Sequence, residues 1–402
     1  MLKTPKSLRL HIGFLGRRNV GKSSLINKIT GQDVSIVSDT AGTTTDPVEK
    51  AMELPPIGPV LFVDTAGVDD VGELGAQRVE KTLKALERLD IAVIVCDSDG
   101  WGNEEIELQQ QLRSLKIPVF AIINKTDLAK IAPEKRQQIA EKSDVVLEVS
   151  TFLDDDIALS FKQELIKILP NDFVNTPTIL GDLLPENALV LLVTPIDKEA
   201  PKGRLILPQV QTIRDILDNA ATTVVTRDSE LQATLKKLAL PPDIVVTDSQ
   251  AFKFVDEIVP KNVPLTSFSI LFARLKGDLD VFAQGALVID ELKDGDKILI
   301  CESCTHHSIE DDIGKVKIPN LIKKHTGKEI IFEHYSSHDF PQNIDEYKLI
   351  IHCGGCMTNK REILSRILKS KKQNVPITNY GITIAHCLGI LDRALAPFKA
   401  EM

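Results

Sequence analysis

A short glycine-containing loop near the start of the sequence restricts the fold more than any other feature. The loop, Gly16 to Ser23 (GRRNVGKS), joins an apolar run to a segment with helical spacing. Its glycines allow backbone N–H groups to approach phosphate oxygens, and the helix that follows adds the positive end of its dipole. The feature therefore predicts an α/β fold that binds a phosphate-containing ligand at the end of a strand.

The first 170 residues continue this pattern. Apolar runs that end in loop residues alternate with segments of helical spacing, as expected for strands buried on both faces of a parallel sheet. Four runs have this form: RLHIGFLG, PVLFVDTAG, IAVIVCD and VFAIINKTD. They predict a doubly wound domain over residues 1–170, with its ligand at the carboxyl ends of the strands.

Two further α/β domains are predicted after NDFVNTP, which has the composition of a linker. Residues 177–267 alternate strand-like and helical segments without a chemical motif, so we predict a middle domain that serves dimerisation. Residues 268–402 contain four strand-like segments: KILICES, KEIIFEH, EYKLIIHC and VPITNYG. The expected fold class is therefore α/β with three domains, the second and third being smaller, mostly parallel units.

Three motifs follow the loop in the order of a guanine-nucleotide site. Lys22 is placed to reach the β- and γ-phosphates, and the Ser23 hydroxyl is placed to bind Mg²⁺. The segments AGTTTD and DTAG come next, and NKTD ends a later apolar run, where the Asp127 carboxylate is expected to accept the guanine N1 and N2 hydrogens. The first domain is therefore predicted to be a P-loop GTPase. The predicted nucleotide-contacting residues are Gly16, Asn19, Val20, Gly21, Lys22, Ser23, Ser24, Thr43, Thr44, Asp64, Gly67, Asn124, Lys125, Asp127 and Ser150.

The sequences and spacing of these motifs resemble those of the Era, EngA and MnmE group of GTPases. The resemblance implies that Thr44 closes on Mg²⁺ and that Gly67 senses the γ-phosphate, so both join Lys22 as catalytic candidates. Val68 occupies the position of the water-orienting glutamine of Ras-like GTPases, so the chain needs another source of transition-state stabilisation. Asn19 resembles the asparagine that coordinates K⁺ in MnmE-type GTPases; the alternative is that it only stabilises the loop turn.

Four of the six cysteines form two Cys-x-x-Cys pairs, Cys301/Cys304 and Cys353/Cys356. Each pair follows a strand-like segment, so both pairs are expected at the carboxyl edge of the third sheet, where open α/β sheets collect their ligands. The residues alone leave three interpretations open: structural zinc, an iron–sulfur cluster and a disulfide pair.

The detailed pattern is CTH, then 45 residues, then HCGGC, which resembles the C-x-H…H-C-x-x-C pattern of HydF, the GTPase family that matures [FeFe]-hydrogenase. The resemblance covers the whole chain. It implies that Cys304, Cys353 and Cys356 hold a [4Fe–4S] cluster with one iron left without a thiolate. Cys301 lies outside the pattern and is expected to pack inward.

Histidines surround these cysteines. His306 and His352 are expected either to bind the cluster directly or to support its ligands from the second shell. The other histidines of the segment are expected to be surface or loop residues rather than ligands: His307, His325, His334 and His338.

The HydF resemblance also implies a function. The expected protein receives a diiron subcluster precursor made with the radical-SAM enzymes HydE and HydG, and delivers it to apo-[FeFe]-hydrogenase. Its expected cofactors are GTP, Mg²⁺, K⁺ and a [4Fe–4S] cluster, and a cytoplasmic homodimer is expected. The alternative is an Era- or EngA-type GTPase that acts on the ribosome or RNA and carries a structural zinc module.

Two observations bear on that alternative and on the environment of the protein. The net charge of −9 and the absence of a module rich in Lys and Arg argue against a nucleic-acid partner. No apolar run approaches the roughly 20 residues needed to span a membrane. We therefore expect neither a nucleic acid nor a membrane as partner.

Overall fold

The fold comprises two compact units, Met1–Thr176 and Pro177–Met402. The computed structural model describes residues 4–31, 48–65, 85–174, 177–196, 205–302, 312–336 and 339–399. Among these residues, no helix is long and apolar enough to cross a membrane.

The first unit is built on a six-stranded sheet with the strand order β2-β3-β1-β4-β5-β6. Its strands are β1 (Leu10–Leu15), β2 (Val48–Leu54), β3 (Gly58–Asp64), β4 (Ile91–Cys96), β5 (Val119–Ile123) and β6 (Val145–Glu148). Its main described helices are α1 (Lys22–Thr30), α2 (Asn103–Ser114), α3 (Pro133–Lys142) and α4 (Ile157–Ile166). Neighbouring strands are parallel except β2 and β3, which are antiparallel.

Alternate residues of the central strands enter two separate apolar cores, one on each face of the sheet. In β4, for example, Val93 packs with side chains of α1 and α4, whereas Ile94 packs with side chains of α2 and α3. Strands β1, β4 and β5 are buried along their whole length. The predicted doubly wound sheet is confirmed.

The edge strand β2 was not predicted from the sequence. In its segment VEKAMEL every residue before Leu54 is exposed or half-buried. The segment contains no continuous apolar run. Such a strand has one solvated face because it lies at the edge of the sheet in antiparallel pairing with β3. Because of its polar residues, the sequence of β2 did not indicate a strand.

The second unit contains two four-stranded sheets, both parallel throughout. One sheet has the order β10-β9-β7-β8, and its strands are β7 (Leu189–Val193), β8 (Thr222–Thr226), β9 (Ile244–Thr247) and β10 (Leu265–Ser267). The other has the order β12-β11-β13-β14, and its strands are β11 (Lys297–Glu302), β12 (Ile331–Ser336), β13 (Leu349–His352) and β14 (Ile377–Asn379). The predicted parallel character of both sheets is confirmed.

Helices surround these two sheets. The described α-helices of the second unit are α5 (Leu207–Asp218), α6 (Leu231–Lys237), α7 (Phe252–Ile258), α8 (Phe268–Lys276), α9 (Leu279–Leu287), α10 (Ile318–Thr326), α11 (Lys360–Lys372), α12 (Tyr380–Cys387) and α13 (Leu391–Leu395). One apolar core includes residues of both sheets, such as Val190 and Ile350, together with the buried face of α8. Helix α8 packs against α5, α11 and α12.

A second connection within this unit is polar. The Arg393 guanidinium, on α13, donates to both the carboxylate and the carbonyl oxygen of Asp256 and to the carbonyl oxygens of Val259, Pro260 and Val263. It thereby fixes the chain between α7 and β10.

Candidate nucleotide site and candidate metal centre

The phosphate loop follows β1 and ends where α1 begins. Gly16 has a φ of +134°, and a Cβ at this position would lie 2.2 Å from the Val95 carbonyl oxygen. Gly21 has a φ of +95°, and a Cβ there would lie 2.3 Å from Asn124 Nδ2. Both positions therefore require glycine, because the backbone is left-handed or nearly so and the neighbouring strands are close. The loop is held against the strand ends by this close approach.

Lys22 arches over the loop. Its ammonium donates to the carbonyl oxygens of Gly16 and Arg17, both at 2.8 Å, and the residue is only 8% exposed. The charge is thus placed at the centre of the loop, where the β- and γ-phosphates of a nucleotide are bound in P-loop proteins.

Ser23 and Asp64 form the part of the site suited to Mg²⁺. The Ser23 hydroxyl donates to Asp64 Oδ2 at 2.8 Å. Burial raises the pKa of the Asp64 carboxyl, and its Oδ1 atom is buried without a hydrogen-bond partner among the described residues. A hydroxyl oxygen and a carboxylate oxygen are hard ligands that Mg²⁺ prefers. Ser23 and Asp64 therefore fit the Mg²⁺ ion that accompanies a nucleoside triphosphate.

Asn124 joins the phosphate loop to the base-binding loop. Its Nδ2 donates to the Val20 carbonyl oxygen at 2.9 Å, and its Oδ1 accepts from the Thr151 N–H at 3.3 Å. The residue is 1% exposed. The asparagine of NKTD thus positions two loops relative to each other.

Ser150 supports the carboxylate that is predicted to bind guanine. Its hydroxyl donates to Asp127 Oδ1 at 2.6 Å. The Ser150 hydroxyl oxygen also accepts from the N–H groups of Phe152 and Leu153, at 3.3 and 3.1 Å. The serine is 2% exposed. Ser150 thus lies beside Asp127, the residue whose carboxylate is predicted to bind guanine.

One contact of the phosphate loop was missed from the sequence. Arg17 Nε donates to Glu105 Oε1 at 2.8 Å, and its Nη2 donates to the Gly100 carbonyl oxygen. Glu105 is fully buried, and its other oxygen accepts from the Gly102 N–H at the start of α2. An arginine in a phosphate loop suggests phosphate binding, yet this one fastens the loop to α2.

Among the remaining predicted residues of this site, Lys125 is half-buried and has a φ of 59°. Asn19 and Ser24 are exposed, and Asn19 has a φ of 60°, a conformation that asparagine tolerates better than most residues. Thr43, Thr44 and Gly67 lie outside the described residues.

The candidate metal centre lies at the carboxyl edge of the second sheet of the second unit. Cys353 directly follows β13 and is 9% exposed, and Cys356 is half-buried three residues later. The Cys353 N–H donates to the Cys301 carbonyl oxygen of the neighbouring strand β11 at 2.9 Å. Cys304 and His306 follow β11 and lie outside the described residues.

Cys301 is fully buried within β11 and belongs to the apolar core of the second unit. Burial raises the pKa of its thiol to about 12. Burial also raises the pKa of the proposed ligand Cys356, so it is the enclosure of the Cys301 side chain in the apolar core that sets this residue apart. The residue packs inward.

A buried lysine holds the loop that carries Cys356. Lys276, at the end of α8, donates to the carbonyl oxygens of Gly355 and Thr358, both at 2.8 Å, and is 3% exposed. Burial lowers the pKa of its ammonium to about 8, and the neighbouring Cys356 and Cys353 act in the opposite direction. Sequence reasoning missed this residue.

His352 ends β13 and is 1% exposed. Its Nδ1 donates to the Cys353 carbonyl oxygen at 2.7 Å, and its Nε2 accepts from Arg366 Nη1 at 2.8 Å. Arg366 in turn donates to Glu362 Oε1 at 2.6 Å, and both residues are buried. Since both ring nitrogens are hydrogen-bonded, this geometry favours the alternative in which His352 supports the backbone of the neighbouring Cys353 over direct ligation.

The fold and the nucleotide site define the class of the protein, which is that of P-loop GTPases. The sequence model described as "50S ribosome-binding GTPase" matches residues 11–125. "tRNA modification GTPase MnmE" of Caldicellulosiruptor saccharolyticus is 33% identical over 182 residues, which cover 44% of this chain and 38% of the relative. "GTPase Der" of Wolinella succinogenes is 39% identical over 130 residues, which cover 31% of this chain and 27% of the relative.

The chain therefore spans well under half the length of these curated relatives. Among solved structures, Era of Aquifex aeolicus bound to GDP·AlF4⁻ matches with 20% identity and a TM-score of 0.36, over 62% of this chain and 97% of that chain.

The rest of the chain identifies the family. The model described as "Hydrogen maturase F dimerization domain" matches residues 179–277, and the model described as "Hydrogen maturase F tetramerization domain" matches residues 280–397. Together these two matches cover more than half of the 402 residues. The chain belongs to the hydrogen maturase F family, HydF.

Proposed function

We propose that this GTPase acts as an iron–sulfur scaffold in the assembly of the [FeFe]-hydrogenase active-site cluster. In this proposal, Cys304, Cys353 and Cys356 hold a [4Fe–4S] cluster, and a diiron precursor is the cargo. The cargo is received from the maturases HydE and HydG and delivered to apo-[FeFe]-hydrogenase by a cytoplasmic homodimer. The match of residues 179–277 and 280–397 to two hydrogen maturase F models supports this role.

The observation that carries the proposal is the place of the cysteines in the sheet. Strands β11 and β13 are parallel neighbours, and Cys301 lies opposite His352. The end of β11, two residues before Cys304 in the sequence, therefore lies next to Cys353. Thiolates from two adjacent strand ends are soft ligands that suit iron–sulfur clusters, and ligands of open α/β sheets are bound at this edge.

The charge of the site supports the same proposal. Burying an ammonium costs free energy unless an anion or hydrogen-bond acceptors stabilise it. Lys276 has two carbonyl acceptors and lies beside the thiols of Cys353 and Cys356, which counteract the effect of burial on its pKa. A buried cation at this place stabilises the thiolate forms that metal ligation requires.

The proposal also covers GTP hydrolysis, for which this chain lacks the water-orienting glutamine of Ras-like GTPases at position 68. Val68 follows DTAG, so a monovalent cation bound through Asn19 is proposed to supply transition-state charge stabilisation. GTP turnover then acts as a switch that controls partner binding or release, with the nucleotide bound to a different unit from the cysteines.

The test is to replace single cysteines and measure iron and sulfide after anaerobic purification. Cys353→Ala and Cys356→Ala are expected to lose most of the iron and the ability to activate apo-hydrogenase. Cys301→Ala is the matched control, since it removes a thiol from the neighbouring strand and should retain both properties. Equal iron loss in all three variants would contradict the proposed ligand set.

The ribosome-associated alternative makes different predictions. It expects a colourless protein that contains zinc, and it expects the protein to sediment with ribosomes in the presence of a GTP analogue. The cysteine-containing residues themselves match a hydrogen maturase F model, which favours the scaffold proposal. Zinc without iron in the anaerobically purified protein would favour the alternative.

A further inference from the structure

Three metal-ligating side chains meet in a part of the second unit that neither of the two sites uses. Asp290 lies in the turn Val288–Glu291 that follows α9, His325 lies in the last turn of α10, and His386 lies in the last turn of α12. One ligand atom of each residue lies within 4.8 Å of the ligand atoms of the other two. Three separate segments of the chain therefore present two imidazoles and one carboxylate to a common point.

Two of the three distances between these ligand atoms are close to those of neighbouring ligands on one ion. Asp290 Oδ1 lies 2.7 Å from His325 Nε2 and 3.1 Å from His386 Nε2. The two imidazole rings are tilted by 54°, with their centroids 5.4 Å apart. Two atoms bound at about 2.0–2.1 Å to a tetrahedral or octahedral ion lie roughly 3 Å apart. The cluster therefore needs little rearrangement to bind a metal ion.

The tautomer of His325 supplies an independent argument. Its Nδ1 lies 3.3 Å from the Cys387 carbonyl oxygen, which can only accept, so Nδ1 carries the hydrogen. In the neutral ring, Nε2 then has a lone pair that faces a carboxylate oxygen at 2.7 Å. Two acceptors at this distance require a cation between them, either a proton or a metal ion. A backbone carbonyl that orients the distal nitrogen is also the usual support of a metal-bound histidine.

We propose that Asp290, His325 and His386 form a binding site for a first-row transition-metal dication, for which Zn²⁺ is the probe. Two histidines and one carboxylate are a common three-ligand set for zinc and related ions, with water in the remaining positions. The side chains are 56%, 28% and 11% exposed, respectively, so an ion can enter from solvent and retain water ligands.

The ion would join α10, α12 and the turn after α9. Helix α12 begins directly after β14, at the edge of the sheet that carries the cysteines, and ends next to His386. A metal at its far end therefore constrains a helix whose first residue, Tyr380, donates to Glu302 at the end of β11. The site is independent of the proposed cluster ligands, and its test does not depend on the proposed function.

The test is a zinc titration of the full-length, untagged protein, followed with a chromophoric competitor. The wild-type protein is expected to bind one more equivalent of Zn²⁺ than His325→Gln or His386→Gln, and affinity at this site should fall by at least about 100-fold in each variant. His334→Gln, which alters an exposed histidine of β12, is the matched control and should bind as the wild type does. The cysteines are common to all four proteins, so zinc at the thiols cancels from the comparison.

Co²⁺ provides a second measurement that separates the two sites. Cobalt bound by imidazole and carboxylate shows weak visible bands, whereas cobalt bound by thiolates adds intense charge-transfer absorption in the near ultraviolet. The weak bands should disappear in His325→Gln while the thiolate absorption persists. If either histidine variant misfolds, Asp290→Ala tests the same site, because this side chain is largely exposed. Equal zinc stoichiometry and equal cobalt spectra in the wild-type protein and the variants would overturn the proposal and leave a proton-linked ion pair.

Discussion

The hydroxyl of Ser150 offers a sharp test of the guanine site. It donates to Asp127 Oδ1 at 2.6 Å, and its environment is almost fully buried, at 2% exposure. The substitution Ser150→Ala removes this one hydrogen bond and leaves the backbone in place. The N–H groups of Phe152 and Leu153, which also bond to the hydroxyl, belong to strongly exposed residues and can bind water instead.

The magnitude follows from the kind of hydrogen bond that is lost. A hydrogen bond to a charged group contributes about 1.5–3 kcal/mol. Asp127 is exposed, so water replaces part of that contribution. A net loss of about 1–1.4 kcal/mol remains for orienting the carboxylate, which corresponds to roughly a 5–10-fold weaker affinity for GDP.

Isothermal titration of GDP and of inosine diphosphate measures this effect. Inosine diphosphate lacks the 2-amino group and makes one contact fewer with the carboxylate, so its affinity should fall by less. Ser143→Ala is the matched control, because its hydroxyl bonds to the Ile139 carbonyl oxygen in the same unit, and its GDP affinity should stay within about twofold of the wild type. An unchanged GDP affinity in a folded Ser150→Ala protein would refute the reasoning. Equal losses for both nucleotides would show that the serine only folds the loop.

Three further predictions address other parts of the chain. GTP hydrolysis should be faster in K⁺ than in Na⁺, and Asn19→Ala should abolish the difference; equal wild-type rates in both salts would exclude the proposed cation. Lys276→Met removes a positive charge beside the thiols, so the reduction potential of the proposed cluster should fall by about 50–100 mV, from one unit charge acting through an effective dielectric constant of about 20. An unchanged potential in redox titration followed by EPR would contradict the charge argument. Arg393→Met leaves carbonyl oxygens of Val259, Pro260 and Val263 without their donor, so urea denaturation should show a loss of about 2–4 kcal/mol in the free energy of unfolding; a loss below about 0.5 kcal/mol would show that water replaces the guanidinium.

Local sequence patterns were sufficient for most of the fold. Strands buried on both faces are continuous apolar runs, and β1, β4 and β5 are such strands. The phosphate loop and NKTD are also local, because each places its groups within a few residues of one strand end. The antiparallel strand β2 was missed because an edge strand with a solvated face has no such run.

The support of both sites depends on tertiary contacts that no local pattern encodes. Arg17 and Glu105 are 88 positions apart, and the pairing becomes visible only once α2 is packed on the sheet. Lys276 ends a helix, where a lysine usually reaches solvent and favours the negative end of the dipole. Only the folded chain turns it toward the carbonyl oxygens of Gly355 and Thr358, about 80 residues later. In the same way, His325 was expected to be a surface or loop residue, and its partners Asp290 and His386 come from two other segments.

The apolar core that α8 shares between the two sheets of the second unit has a consequence for how the protein can be divided. The two family models meet between residues 277 and 280, yet the chain on both sides of this point contributes to one core. A fragment that stops at residue 277 would expose the buried side chains of Phe268, Leu271 and Phe272 to water, which is the kind of surface that promotes aggregation. Residues 177–402 should therefore melt cooperatively in a single transition, and domain exchange in engineered chimeras should respect residue 177 rather than residue 277 as the point of fusion.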